Sequence, residues 1–140
     1  MKPRISVITL GVNDLENAVA FYRDGLKLST EGIVGTEFEH GRAAFFDLQN
    51  GVKLALFARR DMAQDARIAP GLPSPTEVTL GHNVRTRDEV DAVMEEARRA
   101  GATITKPPRE RPWGGYAGYF EDLDGHLWEV VWDPDSLQEE

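Results

Sequence analysis

The feature that most narrows the fold is that the chain repeats itself. Laid with Gly51 on Gly125, the stretch AAFFDLQNGVKLALF (43–57) superposes on residues 117–131, so that Phe46 falls on Phe120, Asn50 on Asp124, Leu54 on Trp128 and Leu56 on Val130. Upstream of each copy lies a second match, ISVITLGVNDLENAVAFY (5–22) on EVTLGHNVRTRDEVDAVM (77–94), with Ile8 on Leu80 and Val12 on Val84. The two alignments differ by only a small insertion. A chain built this way uses one supersecondary unit twice. Its 140 residues suffice for two such halves in a single domain with a shared core.

The clearer copy of the hairpin is GGYAGYFEDLDGHLWEVVWDP (114–134). It predicts a strand over 116–121, a turn over 122–125 and a return strand over 127–132. Asp-Leu-Asp-Gly makes the turn, because Asp hydrogen-bonds its own backbone and Gly accepts positive φ. On the return strand the period of two sets Leu127, Glu129 and Val131 on one face and Trp128, Val130 and Trp132 on the other, toward the helices. A carboxylate in the middle of an apolar strand is costly unless it meets a donor, a cation or water. Glu129 is therefore the first candidate for chemistry.

Taken in order, the first module (about 1–58) opens with a strand at 4–12. A helix follows over 15–25, capped by Asn13-Asp14 and ended by Gly25, with Leu15, Ala18, Val19 and Tyr22 inward. Strands are expected at 29–34, at 37–48 with a bend at Gly41, and at 52–58. The Pro-rich stretch 59–76 reads as a linker that begins with one or two helical turns. The second module (about 77–134) has a strand at 77–85 and a helix from Thr86 to about 99. Glu89 stands at the capping-box position, Val90, Val93, Met94 and Ala97 face inward, and Gly101 closes the helix. A strand at 102–106, a loop at 107–114 and the hairpin complete it, leaving a short C-terminal tail. The fold class is α+β, two tandem βαβββ modules.

Charge removes several classes of partner. With 16 basic against 24 acidic residues the net charge is -8, and no basic stripe counters it, so a nucleic-acid partner is not expected. Arg59-Arg60 and Arg109 to Arg111 read as solvated loop charge. The absence of cysteine excludes disulfides, thiolate metal sites and Cys nucleophiles. No apolar run reaches membrane-spanning length and the N-terminus lacks a signal-peptide core, so no membrane partner and a cytoplasmic location are expected.

The duplicated βαβββ pattern, with LGVNDLENAVAFYRDGL near the start and YFEDLDGHLWEVVWDP near the end, resembles the vicinal oxygen chelate superfamily. This group includes glyoxalase I, bleomycin-resistance proteins, fosfomycin-resistance enzymes and extradiol dioxygenases. The segment HNVRTRDEVDAVMEEARRAGATITKP is similar to the second-module helix region of glyoxalase-like members. The resemblance implies curved mixed sheets enclosing one cavity, and a homodimer. It also implies a divalent metal in the enzymes, held by one side chain on the first and one on the last strand of each module. The repeat alignment carries those positions onto Val7, Ala55, Thr79 and Glu129.

That quartet does not suit a metal. A catalytic zinc takes three protein ligands, and oxygen-seeking ions take several carboxylates or carbonyls. One carboxylate, one alcohol and two apolar groups supply neither. His82 falls on the opposite strand face from Thr79, His126 follows the turn, and His40 sits in an exposed-looking hairpin, so each reads as a surface or packing histidine. No metal site and no cofactor are expected, a recruited divalent metal being the alternative.

Parity from Glu129 instead gathers Thr79, Asn83, Phe45, Phe57 and Tyr119 on the lining faces, with Val7, Thr9, Gly11, Lys53 and Gly81. Such a lining suits a small, partly aromatic molecule oriented by a few polar groups. Trp113 in PWGGY reads as a lid hinged on two glycines, or as a cover for the core edge or an interface. Glu129 would pair with a ligand amine, or be held by Thr79 or Tyr119 with no catalytic duty. The leading reading is a metal-free, bleomycin-resistance-like binding protein for a small molecule. The alternative is a glyoxalase-like lyase or isomerase that uses Glu129 as base or metal ligand.

Overall fold

A computed structural model describes residues 1–136; the tail expected beyond them lies outside the described residues. The chain divides into two compact units that part between Leu72 and Pro73. No helix among the described residues is long and apolar enough to cross a membrane.

The first unit contains β1 (Val7–Val12), α1 (Leu15–Ala20), β2 (Thr30–Val34), β3 (Ala43–Asp47), β4 (Lys53–Ala58) and α2 (Arg59–Ala66). Its sheet runs β1-β4-β3-β2, with β1 parallel to β4 and the remaining pairs antiparallel. The even positions face α1: Leu10, Ala44, Phe46, Leu54 and Leu56 are buried, and Tyr22 meets Phe46 with ring centroids 6.1 Å apart. Leu15, Ala18, Val19 and Tyr22 are all buried, as their helical spacing predicts.

Asp14 caps α1, its Oδ1 accepting from the Asn17 N–H at 2.9 Å. The end of the helix differs from expectation. Gly25 is not the cap; α1 runs into a π-helical turn, Phe21–Gly25, in which the Leu26 N–H reaches the Phe21 carbonyl at 2.9 Å. Lys27 takes the left-handed conformation, φ 65°, and its ammonium reaches the Asp24 carbonyl. The long strand expected from residue 37 begins only at Ala43, because residues 36–40 form a turn in which His40 has φ 58°. The helical turns expected in the linker are the eight residues of α2, ended by left-handed Arg67.

The second unit contains β5 (Thr79–Val84), α3 (Arg87–Ala100), β6 (Thr103–Glu110), β7 (Tyr116–Glu121) and β8 (Leu127–Trp132). Its sheet, β5-β8-β7-β6, repeats the order of the first. Thr86 caps α3, accepting from the Glu89 N–H at 3.1 Å, while the Glu89 carboxylate reaches back to the Arg85 N–H at 2.8 Å. Gly101 ends the helix at φ 107°. Along α3, Val90, Met94 and Ala97 are buried and Val93 only partly so.

The hairpin of β7 and β8 has the predicted bounds. Its turn is held by Asp122, only 5 % exposed, whose Oδ1 accepts from the N–H groups of Asp124 and His126, each at 2.9 Å. The segment 107–114, read as a loop, is a strand as far as Glu110. β6 is the edge strand, where Pro107 and Pro108 deprive no neighbour of a ladder bond, and register shifts on both sides of Lys106 absorb them.

Candidate functional site

In the second unit, three contacts identify the helix side of the sheet. Tyr116 Oη donates to Asp91 at 2.7 Å, and the Arg87 guanidinium lies 4.2 Å over the Trp132 ring. Trp128 stacks on Phe120 with centroids 6.0 Å apart, and Phe120 is buried. Trp128 and Trp132 therefore belong to the helix face, as parity predicts. His82 shares it: Glu89 and Glu96 of α3 raise the pKa of its ring, but desolvation outweighs them and lowers it, although the residue keeps access to solvent.

The opposite face carries the candidate site. Glu129 stands directly across from Tyr119 on β7 and from Gly81 on β5. The Glu129 carboxylate acts on the Tyr119 hydroxyl as its hydrogen-bond acceptor. That bond, with burial, pushes the phenol above its ordinary pKa, and nearby Arg111 pulls slightly the other way. Both residues are half-buried. Thr79 and Asn83 flank Gly81 on β5 and share the face, both exposed. Of the partners expected for Glu129, Tyr119 is the one found.

Trp113 lies in the turn between β6 and β7 and is 52 % exposed. The turn is closed by the Arg111 N–H bonding the Gly115 carbonyl at 2.8 Å. The ring lies on Gly115: a Cβ there would come within 2.0 Å of the indole and 2.7 Å of the Trp132 carbonyl. Gly115 thus seats the indole against the end of β8, where the sequence reading had taken it for part of a hinge.

In the first unit, Phe45 is 42 % exposed and borders a cavity of about 410 Å³ with Thr30, Gly32, Val34, Asp47 and Lys53. Of its three strand charges, Glu31, Asp47 and Lys53, the last two pair with each other, Lys53 Nζ lying 3.1 Å from Asp47. Phe57 lies at the other end of β4, opposite Gly11 and outside that cavity. Gly11 is not an open lining position, since α2 covers it: a Cβ there would meet the Met62 methyl at 2.7 Å, and Arg59 donates to the Gly11 carbonyl at 3.2 Å. Glu31 and Asp47 line this pocket in the company of Lys53, whereas the Tyr119–Glu129 pair sets a phenol across from a half-buried carboxylate.

The strand registers also test the metal positions. Val7 pairs with Lys53 and Thr9 with Ala55 in the first sheet; Thr79 pairs with Leu127 and Gly81 with Glu129 in the second. In each unit the first-strand position thus stands two residues before the residue opposite the last-strand position, as the repeat alignment requires. Val7 and Ala55 have no donor side chain, and Thr79 and Glu129 offer one alcohol and one carboxylate. This donor set does not fit a divalent ion. Among the described residues no other cluster of three His, Asp or Glu side chains could hold one. His40 is bonded to Asp61 at 2.8 Å, and the His126 N–H is held in the Asp122 turn.

Sequence reasoning missed the basic side chains beside this face. Lys106, the last residue of the expected strand, stands opposite Tyr119, and Arg109, in the stretch whose prolines mark a loop, stands opposite Ala117.

Residues 4–130 match the family model described as the Glyoxalase/Bleomycin resistance protein/Dioxygenase superfamily. A glyoxalase-related enzyme from Fulvimarina pelagi is similar to the chain at 33 % identity, with a TM-score of 0.80 over 94 % of this chain and 89 % of that one. A glyoxalase/bleomycin resistance protein/dioxygenase from Nocardioides is similar at 25 % identity, with a TM-score of 0.75 over 99 % and 91 %. The fosfomycin resistance protein FosX from Listeria monocytogenes, at 24 % identity and a TM-score of 0.70 over 96 % and 97 %, shares the fold. No match was found among curated proteins.

Proposed function

Since the chain belongs to the glyoxalase/bleomycin resistance protein/dioxygenase superfamily, we propose that it binds a small, partly aromatic molecule against the Tyr119–Glu129 face of its second module, without a metal. The observation that carries this reading is the placement of Tyr119 directly across from Glu129 on a half-buried sheet face, where the carboxylate acts on the phenol as a hydrogen-bond acceptor. A carboxylate kept there with one protein donor retains acceptor capacity for a ligand hydroxyl or amine. Thr79 and Asn83 supply further polar contacts on the same face. Trp113, seated at the adjoining end of the hairpin, supplies a ring for stacking. At Val7, Ala55, Thr79 and Glu129, the four positions that the resemblance and the repeat alignment mark, one alcohol and one carboxylate give no reason to invoke an ion.

Titration of the protein with a library of aromatic compounds, followed by tryptophan emission, tests this. Saturable quenching that weakens in Glu129→Gln and in Trp113→Ala is the expected result. A library that neither quenches nor raises the melting temperature removes the basis of the reading.

The same hydrogen bond favours a second reading. Tyr119 fixes the orientation of Glu129, and an oriented carboxylate is equipped to take a proton from a bound substrate, as in a lyase or isomerase. Under that reading Glu129→Gln abolishes turnover while ligand still binds; retained turnover rules it out.

A further inference from the structure

The charged side chains of the second unit divide into two groups. Arg85, Arg87, Arg98 and Arg99 are each ion-paired, with Glu89, Glu110 or Glu95. Arg109, Arg111 and Lys106, the unit's only lysine, are in no ion pair among the described residues. In a chain with a net charge of -8, acidic partners are plentiful, so three unpaired cations within six residues stand out.

Strand pairing brings these cations to the candidate site. Lys106 lies opposite Tyr119 and Arg109 opposite Ala117, so both side chains leave the sheet on the Tyr119–Glu129 side. Arg111 is fixed beside them by the bond from its N–H to Gly115. Lys106 and Arg111 are half-buried. Desolvation, then the like charges of Arg111 and Arg109, lower the Lys106 pKa, in keeping with the three cations lying near one another.

We propose that Lys106, Arg109 and Arg111 form an anion subsite that receives a carboxylate or phosphoryl group of the ligand, while another part of the same ligand bonds Glu129. This rests on the binding reading above and narrows it to a class: a small bifunctional acid with a hydroxyl or amine remote from its anionic group. The spacing follows from the sheet. β6 and β8 flank β7, so the cations stand about two strand spacings, or about 10 Å, from Glu129 at the backbone. An anion near β8 would face the Glu129 charge; one at the β6 edge meets the guanidinium donors of Arg109 and Arg111 and the Lys106 ammonium.

The test is an amide NMR titration of the full chain with inorganic phosphate in one arm and acetate in the other, at constant ionic strength made up with chloride. Saturable shifts at residues 104–106 and 109–111 and at Tyr119 are expected in at least one arm. The arm that binds more tightly identifies phosphoryl or carboxylate as the preferred group. Lys106→Gln and Arg111→Gln, whose folding a thermal melt verifies, each weaken the binding about tenfold. No saturable shift in either arm, or shifts that persist unchanged in the Lys106→Gln/Arg111→Gln double variant, overturns the subsite. Failure of the parent reading shows separately, as loss of tryptophan quenching by uncharged aromatic compounds, which do not need the cations.

Discussion

Tyr119 and Glu129 face each other across β7 and β8, and the phenol donates its hydrogen bond to the carboxylate. The protonated phenol is the form that bonds, so its folded pKa lies above the ordinary value of about 10. The stabilisation is therefore complete below the unfolded phenol's pKa and is lost as pH rises through the raised folded value. Tyr119→Phe removes it at neutral pH, with an expected loss of about 1 kcal/mol, the low end for a bond to a charged group because the pair is half-buried. Urea denaturation at neutral pH checks the loss. Alkaline ultraviolet titration should show one tyrosine fewer titrating late in Glu129→Gln than in the parent.

Gly115 is predicted to tolerate no side chain. A Cβ there meets the Trp113 ring and, at 2.7 Å, the carbonyl of Trp132, which belongs to strand backbone and cannot move aside cheaply. Gly115→Ala should displace the indole, shift its emission to the red and cost about 1–3 kcal/mol. Unchanged emission and stability would show that Trp113 does not rest on this turn.

Asp122 holds the turn between the two strands that present Tyr119 and Glu129. Its Oδ1 takes two backbone N–H groups while the residue is almost fully buried. Asp122→Ala leaves those donors unpaired and is expected to destabilise by about 1–3 kcal/mol. Asp122→Asn keeps an acceptor oxygen and should recover much of that loss in thermal denaturation.

Where residue chemistry and local pattern agree, the chain is readable without coordinates. Asp122 and Gly125 allow only a tight turn between two alternating strands, so β7 and β8 have the predicted bounds. Thr86, Glu89 and Gly101 bound α3 for the same kind of local reason. The misses arose where tertiary placement overrode local preference. Pro107 and Pro108 argue against a strand unless the strand lies at a sheet edge, and nothing local to β6 says that it does. Reading 107–114 as loop consigned Arg109 and Arg111 to solvent, and ending the strand at Lys106 hid how β6 continues beside Tyr119. The π turn after α1 has no residue signature, so Gly25 looked like a cap while Lys27 adopts the left-handed conformation. For the candidate site, parity was enough to put Glu129 and Tyr119 on one face; their hydrogen bond required the register.

The proposed site works with an organic ligand and without a bound metal. The most direct measurement is a thermal-shift titration of chelator-treated protein with Ni, Zn, Mn, Co, Fe(II) and Mg. A metal at about a hundred times its dissociation constant would add about 2.7 kcal/mol of stability, a rise of several degrees for a domain of this size. No rise with any of the six ions is predicted, because Val7, Ala55 and Thr79 leave Glu129 as the lone strong donor of the set. A rise that disappears in Glu129→Gln would contradict the account and make Glu129 a metal ligand.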